Sequence, residues 1–222
     1  MRVFALVGAA VAIAGLGACS QSEESEQNAA TPMEQASPMA GGQTMMNDEE
    51  MDRQMAAMTG PFADSERDMH RAMRTAVGVD VADTWTRKMI AHHEGAIEMS
   101  RAFLAQEGGR EDARAMAQQV IDKQTKEVAE LRSLLKDGEG QPASAQPYFS
   151  AERDMMHAMM NARRDDVTES FLAKMLEHHR GGVALSEVVI AEGKDEQILA
   201  KARKTRDDQA KEAAETEEML EA

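Results

Sequence analysis

Cysteine is almost absent from this chain: among 222 residues only Cys19 carries a thiol. A lone cysteine forms no internal disulfide. It also leaves no set of thiolates for a structural zinc site. Aromatic side chains are scarce, at 3% of the sequence, and Val, Ile, Thr and Tyr never gather into alternating runs. That pattern excludes a sheet. Positive charge is in deficit, with 25 Lys and Arg against 40 Asp and Glu and a formal net charge of -15. Such a chain is repelled by nucleic acid, so none is expected as a partner. The same charge favours solubility and attracts cations.

What is abundant is Ala, Glu, Gln, Lys, Arg and, above all, Met, of which there are 19. The mixture favours helix, and the expected fold class is all-α. Methionine fills irregular cores, and its thioether is also a soft metal ligand. Composition alone leaves both readings open.

The amino terminus carries Arg2 and then the apolar run "VFALVGAAVAIAGLGA". This reads as a secretory signal over residues 1–18, too short and wrongly flanked for a stable membrane span. Its end, "LGAC", resembles a bacterial lipobox. The resemblance implies cleavage before Cys19, acylation of that residue, and a lipoprotein held to a membrane in the periplasm or at the cell surface. The alternative is an ordinary signal peptide cut nearby. Residues 19–60 read as an acidic, Met-rich tether, with Met33, Met39, Met45, Met46, Met51, Met55 and Met58. The last three fall on one face of a helix. They fit either metal capture or an amphipathic helix that docks on the domain.

After the tether the chain repeats itself. "PFADSERDMHRAM" at 61–73 returns as "PYFSAERDMMHAM" at 147–159, and "WTRKMIAHHEGA" at 85–96 returns as "FLAKMLEHHRGG" at 171–182, both 86 residues on. "QTKEVAELRSLL" at 124–135 returns as "QAKEAAETEEML" at 209–220, 85 residues on. One structural unit is built twice, as a first repeat over 61–136, a connector over 137–147 and a second repeat over 148–222. Each copy reads as three helices. In the first copy they run from about 64 to 77, 80 to 107 and 110 to 136, with Ser65 and Asp68 as capping residues and Gly108 and Gly109 as a stop. In the second they run from about 150 to 164, 166 to 192 and 194 to 220.

The second helix of each copy has a core-facing stripe: Trp85, Met89, His92, Ala96, Met99, Phe103, and Phe171, Met175, His178, Gly182, Leu185, Val189. The adjoining stripe holds His93 and His179. Successive residues point about 100° apart, so the two rings of a pair face different surroundings. Each buried imidazole needs a polar partner of its own. Gly95, Ala96, Gly181 and Gly182 leave room one turn later, for a neighbouring helix or for an ion. On the first helices, "MHRAM" (Met69, His70, Met73) returns as "MHAMM" (Met156, His157, Met160). These two histidines are 87 residues apart, so either the length changes by one residue or Met156 stands where His70 does. All six histidines lie in these places, with Met beside them. The set His70, His92, His93, His157, His178 and His179, with Met69, Met73, Met89, Met99, Met156, Met160 and Met175, reads as metal ligands. The competing reading is structural hydrogen bonding to Gln124, Glu127, Gln209 or Glu212.

"KMIAHHEGAIEMS", the Met-rich helix before it and "QTKEVAEL" after it resemble the bacterial domain of unknown function 305. The resemblance covers about residues 61–136 and, more weakly, 147–220. It implies a ferritin-like helical bundle and a link to copper binding and copper tolerance outside the cytoplasm. By motif it points to His92, His93, His178, His179 and the Met/His sets. The second copy departs from the pattern, with Ala184 for Glu98 and Leu185 for Met99.

Thioether with imidazole suits copper, Met favouring Cu(I) and His accepting Cu(II). A blue-copper site needs a cysteine thiolate, and Cys19 is committed to lipid. "HHEGA" is not the zinc-protease motif, and neither double-histidine helix has Glu three residues before a histidine, as a di-iron bundle needs. An enzyme is therefore the weaker expectation, with a nonstandard metal oxidase as its form. The leading expectation is a lipid-anchored copper-binding protein that sequesters the ion or hands it on. The alternative is a metal-free interaction module with structural histidines. Self-association into a homo-oligomer stays open.

Overall fold

The computed structural model describes residues 48–222. The signal segment, Cys19, Met33, Met39, Met45 and Met46 lie outside them. Among the described residues there is helix and no strand, as the composition requires.

Helix α1 spans Asp48–Ala57, and its Met51 and Met55 are buried in the main core. This methionine face therefore docks on the domain, as one of its two readings expected. The first copy follows as α2 (Ala63–Thr75), α3 (Val81–Leu104) and α4 (Glu111–Arg132). A short helix α5 (Pro142–Ala145) and a 3₁₀ turn at Gln146–Tyr148 occupy the connector. The second copy is α6 (Phe149–Asn161), α7 (Val167–Glu192) and α8 (Glu196–Glu221). Each copy is thus three helices, close to the bounds expected from the repeat.

Local chemistry sets the ends. Asp80, Asp166 and Asp195 cap α3, α7 and α8 by accepting from backbone N–H groups of the first turn. After α3, Gly108 and Gly109 turn the chain at φ of 78° and 84°, a region closed to most side chains. The cap expected on α2 is different. Ser65 lies inside the helix and donates to the Phe62 carbonyl at 2.8 Å, while Asp68 pairs with Arg71 on the surface. The residue at the N-cap is Phe62, which has no side-chain acceptor to offer.

Helices α3 and α7 run antiparallel through the centre. Phe103 near the end of α3 stacks on Phe171 near the start of α7, with centroids 4.3 Å apart. His92 and His178 meet halfway along. Helices α2 and α4 flank α3, and α6 and α8 flank α7. Two buried ion pairs cross between the copies. Lys88 of α3 meets Glu152 of α6 at 2.6 Å, and Lys174 of α7 meets Glu66 of α2 at 2.8 Å. Each lysine also donates to a carbonyl ending its own copy's first helix, Met73 for Lys88 and Met159 for Lys174. A buried ammonium is tolerated only with such partners.

The small residues after the histidines divide by role. A Cβ on Gly95 would overlap the Met69 sulfur, and one on Gly181 would overlap the Met155 sulfur. These two glycines let α2 and α6 approach the long helices. The matching contacts align Met69 with Met155, and therefore His70 with Met156. The 86-residue register runs unbroken through the first helices, and His157 is left facing elsewhere.

Candidate metal centre

His92, His93, His178 and His179 are fully buried where α3 crosses α7. The His92 and His178 rings stack with centroids 3.6 Å apart and planes 18° from parallel. One ring comes from each copy, so the two copies share one cluster. Each pair opens outward: the His92 and His93 centroids are 5.6 Å apart, those of His178 and His179 5.8 Å. Gly182 makes the stack possible, since a Cβ there would come 3.0 Å from Cε1 of His92 and 2.7 Å from Oε1 of Gln209.

Hydrogen bonds fix the tautomers. Nε2 of His92 lies 3.0 Å from the backbone oxygen of His178. A carbonyl only accepts, so Nε2 carries the proton and Nδ1 keeps its lone pair. That Nδ1 has no hydrogen-bond partner. Nδ1 of His179 lies 3.1 Å from Oε1 of Gln209, whose Nε2 donates to Glu212 at 3.1 Å. The Gln209 amide is oriented by Glu212, its oxygen accepts from His179, and Nε2 of His179 is left with a free lone pair. That nitrogen too has no partner. On the first copy, Nε2 of His93 stands 3.3 Å from Oε2 of Glu127, close enough for an ion pair but not aligned as a hydrogen bond. Both nitrogens of His178 lack hydrogen-bond partners. Gln124, the counterpart of Gln209, has neither amide atom bonded.

Burial keeps these rings neutral. It lowers the pKa of His92 to about 3, with the bond to the His178 carbonyl opposing. Burial likewise holds His93 and His178 well below the ordinary histidine value, and neighbouring imidazoles add to it. His179 is lowered by burial, with Glu212 opposing. Neutral imidazole is the ligand form. Potential ligand atoms of His92, His93 and His178 all lie within 4.8 Å of one another, a span one ion can bridge. Buried polar atoms without partners cost roughly 1–3 kcal/mol each. A buried group of neutral imidazoles with unpaired nitrogens is compatible with a bound metal ion.

The family model described as a domain of unknown function (DUF305) matches residues 14–135 and again residues 136–220. The chain belongs to the DUF305 family. The two matches reproduce the two copies in tandem. No curated protein and no solved structure matches the chain.

The other expected ligands of this DUF305 chain are dispersed over the bundle. Met89, Met99 and Met175 are fully buried core residues on the two long helices. His70, Met73 and Met156 line a separate cavity of about 360 Å³ together with Met51. His70 stands 3.9 Å from Asp52, and Glu152 and Arg74 share the wall. Met69 packs on Gly95, His157 sits beside Asn161 on the outer side of α6, and Met160 lines another hollow near Phe62. None of these last three is brought to the histidine cluster.

Of the residues weighed as structural partners, Glu127, Gln209 and Glu212 stand behind the histidines, and Gln124 has no hydrogen bond to one. Such outer groups orient metal ligands as well as satisfy them, so the two readings of these residues meet here. Missed in the sequence were Lys123, which joins Glu127 and Glu212, and the crossed pairs of Lys88 and Lys174. The signal for the crossed pairs was present: Lys88 and Lys174, like Glu66 and Glu152, recur at the repeat spacing of the double histidines.

Proposed function

We propose that this protein binds a metal ion between α3 and α7, with His92, His93 and His178 as ligands, and that the metal is copper. The observation that carries the reading is the buried cluster of neutral imidazoles whose nitrogens lack protein partners. Copper fits the donors available: imidazole at the cluster, and thioethers of Met89, Met99 and Met175 on the same helices. A bundle that aims ligands inward from facing helices suits such a site, as ferritin-like folds do. The protein sequesters the ion or passes it on. Acylated at Cys19, it works outside the cytoplasm, held to a membrane by lipid. Among the described residues no helix is long and apolar enough to cross a membrane.

Titration of the metal-free chain with Cu(I) against a competing chelator tests this. The His92→Gln, His178→Gln variant, checked by circular dichroism, serves as comparison. Tight binding that weakens by a hundredfold or more, about 2.7 kcal/mol, in the folded variant is the expected outcome. Equal binding by both proteins would move the metal away from the cluster. A chain that binds no metal would leave the histidines as hydrogen-bonding groups of an interaction module.

A further inference from the structure

The histidine cluster is buried on every side, so an ion bound there needs a way in. An opening among the described residues leads to it. Between α4 and α8 lies a cavity of about 270 Å³, walled by Met116, Met219, Glu212, Glu215 and Lys123, with His179 at its inner end. His179 is fully buried, and its Nε2 has no hydrogen-bond partner. It is the cluster histidine left outside the set whose ligand atoms lie within 4.8 Å of one another. Its ring is nevertheless next to that set, 5.8 Å from His178.

We infer that this opening is the metal's route to the cluster and that His179 is the transfer ligand on it. The inference rests on the metal-binding reading above. The chemistry is graded from outside inward. Glu215 is exposed and paired with exposed Lys211 at 3.3 Å, an interaction too weak to withhold its carboxylate from a cation. Met116 and Met219 are half-buried thioethers, ligands for a soft ion that need not lose a proton. Glu212 then holds His179 in one tautomer through Gln209, which leaves Nε2 as the ligand atom. No covalent or redox step is involved; the ion exchanges one set of lone pairs for the next.

Lys123 is the latch. Its ammonium lies 2.5 Å from Glu212, 3.7 Å from Asp208 and 3.9 Å from Glu127. It fills with one positive charge the place where a passing cation would be held by the same carboxylates. Its side chain is about a third exposed, enough to swing outward. The cation and the ammonium compete for Glu212, so the lysine sets the rate of passage and not the final affinity.

Stopped-flow transfer of Cu(I) from a chromophoric chelator to the full metal-free chain tests the route. The relevant phase is the one missing from the His92→Gln, His178→Gln variant. In Met116→Leu, Met219→Leu that phase slows about tenfold in both directions while Kd stays within about threefold, since a route alters rates and not end states. Lys123→Gln, which keeps a polar side chain, changes the other way and loads faster. Wild-type rates in both variants, with stoichiometry intact, would overturn the route and leave the cluster standing. Faster release alone, with a matching loss of affinity, would make the two methionines ligands of the bound state and also overturn it. No histidine-dependent phase in the wild type would overturn the route and the metal reading together.

Discussion

A single backbone oxygen decides the chemistry of His92. Because the His178 carbonyl takes the Nε2 proton, Nδ1 is left as the ligand atom. The ring is neutral in the fold down to about pH 3, whereas an unfolded chain protonates it near 6.5. The unfolded state therefore binds the extra proton across this interval, and the fold loses stability as pH falls from about 6.5 toward 3. For His92 the loss between pH 7 and pH 5 is about 2 kcal/mol. Buried Glu66, Glu127 and Glu152, whose carboxyls burial holds above the usual range, act with the opposite sign. Comparing urea midpoints of metal-free wild type and His92→Gln at both pH values isolates the histidine. A difference between the two proteins that does not change with pH would contradict a neutral buried His92. Glycine gives a second residue-scale expectation. Gly181→Ala overpacks Met155 and should cost about 1–3 kcal/mol in thermal or urea unfolding without altering metal stoichiometry. Gly182→Ala pushes on His92 and Gln209, so it should weaken metal binding in the chelator titration.

At the scale of elements, the crossed pairs tie each short helix to the other copy's long one. Removing one partner strands a charge: Lys88→Ala should cost about 3–5 kcal/mol by leaving Glu152 uncompensated. Replacing both, as Lys88→Met with Glu152→Leu, should cost far less, since two apolar side chains can fill the same volume. Equal losses in the single and double variants, read from urea unfolding, would show that the pair itself is not the source of the effect. These pairs also mark the limit of what periodicity reveals. The stripe from Trp85 to Phe103 was legible because helical spacing alone puts those residues on one face. The repeat spacing marked α7 as the twin of α3. Which helix meets which is a matter of packing, and no spacing along the chain places Lys174 against Glu66. The Ser65 cap was misread for a related reason. A serine near a helix start can cap it or bond back to a carbonyl one turn earlier, and here it bonds to Phe62.

For the whole molecule, the histidine cluster is a stability deficit that a ligand can relieve. Whatever binds the native state alone stabilises it by mass action. At a free metal concentration 100 times Kd the gain is about 2.7 kcal/mol, or roughly 5–10 °C in Tm for a chain of this size. Differential scanning fluorimetry with and without metal measures it, and an unchanged Tm at saturation would count against binding in the core. The chemistry of the cluster was legible as four histidines in two matching pairs. That the pairs meet was not, because it depends on α3 and α7 crossing at Gly182.

The stacked rings come from different copies, and this has a consequence for dilution. Two separate three-helix chains would lose the cluster whenever their concentration fell below that needed for association. Here the segment 137–147 makes the encounter intramolecular. A short connection of this kind maintains a local concentration on the order of millimolar. The site is therefore present in a single molecule, however few copies surround it.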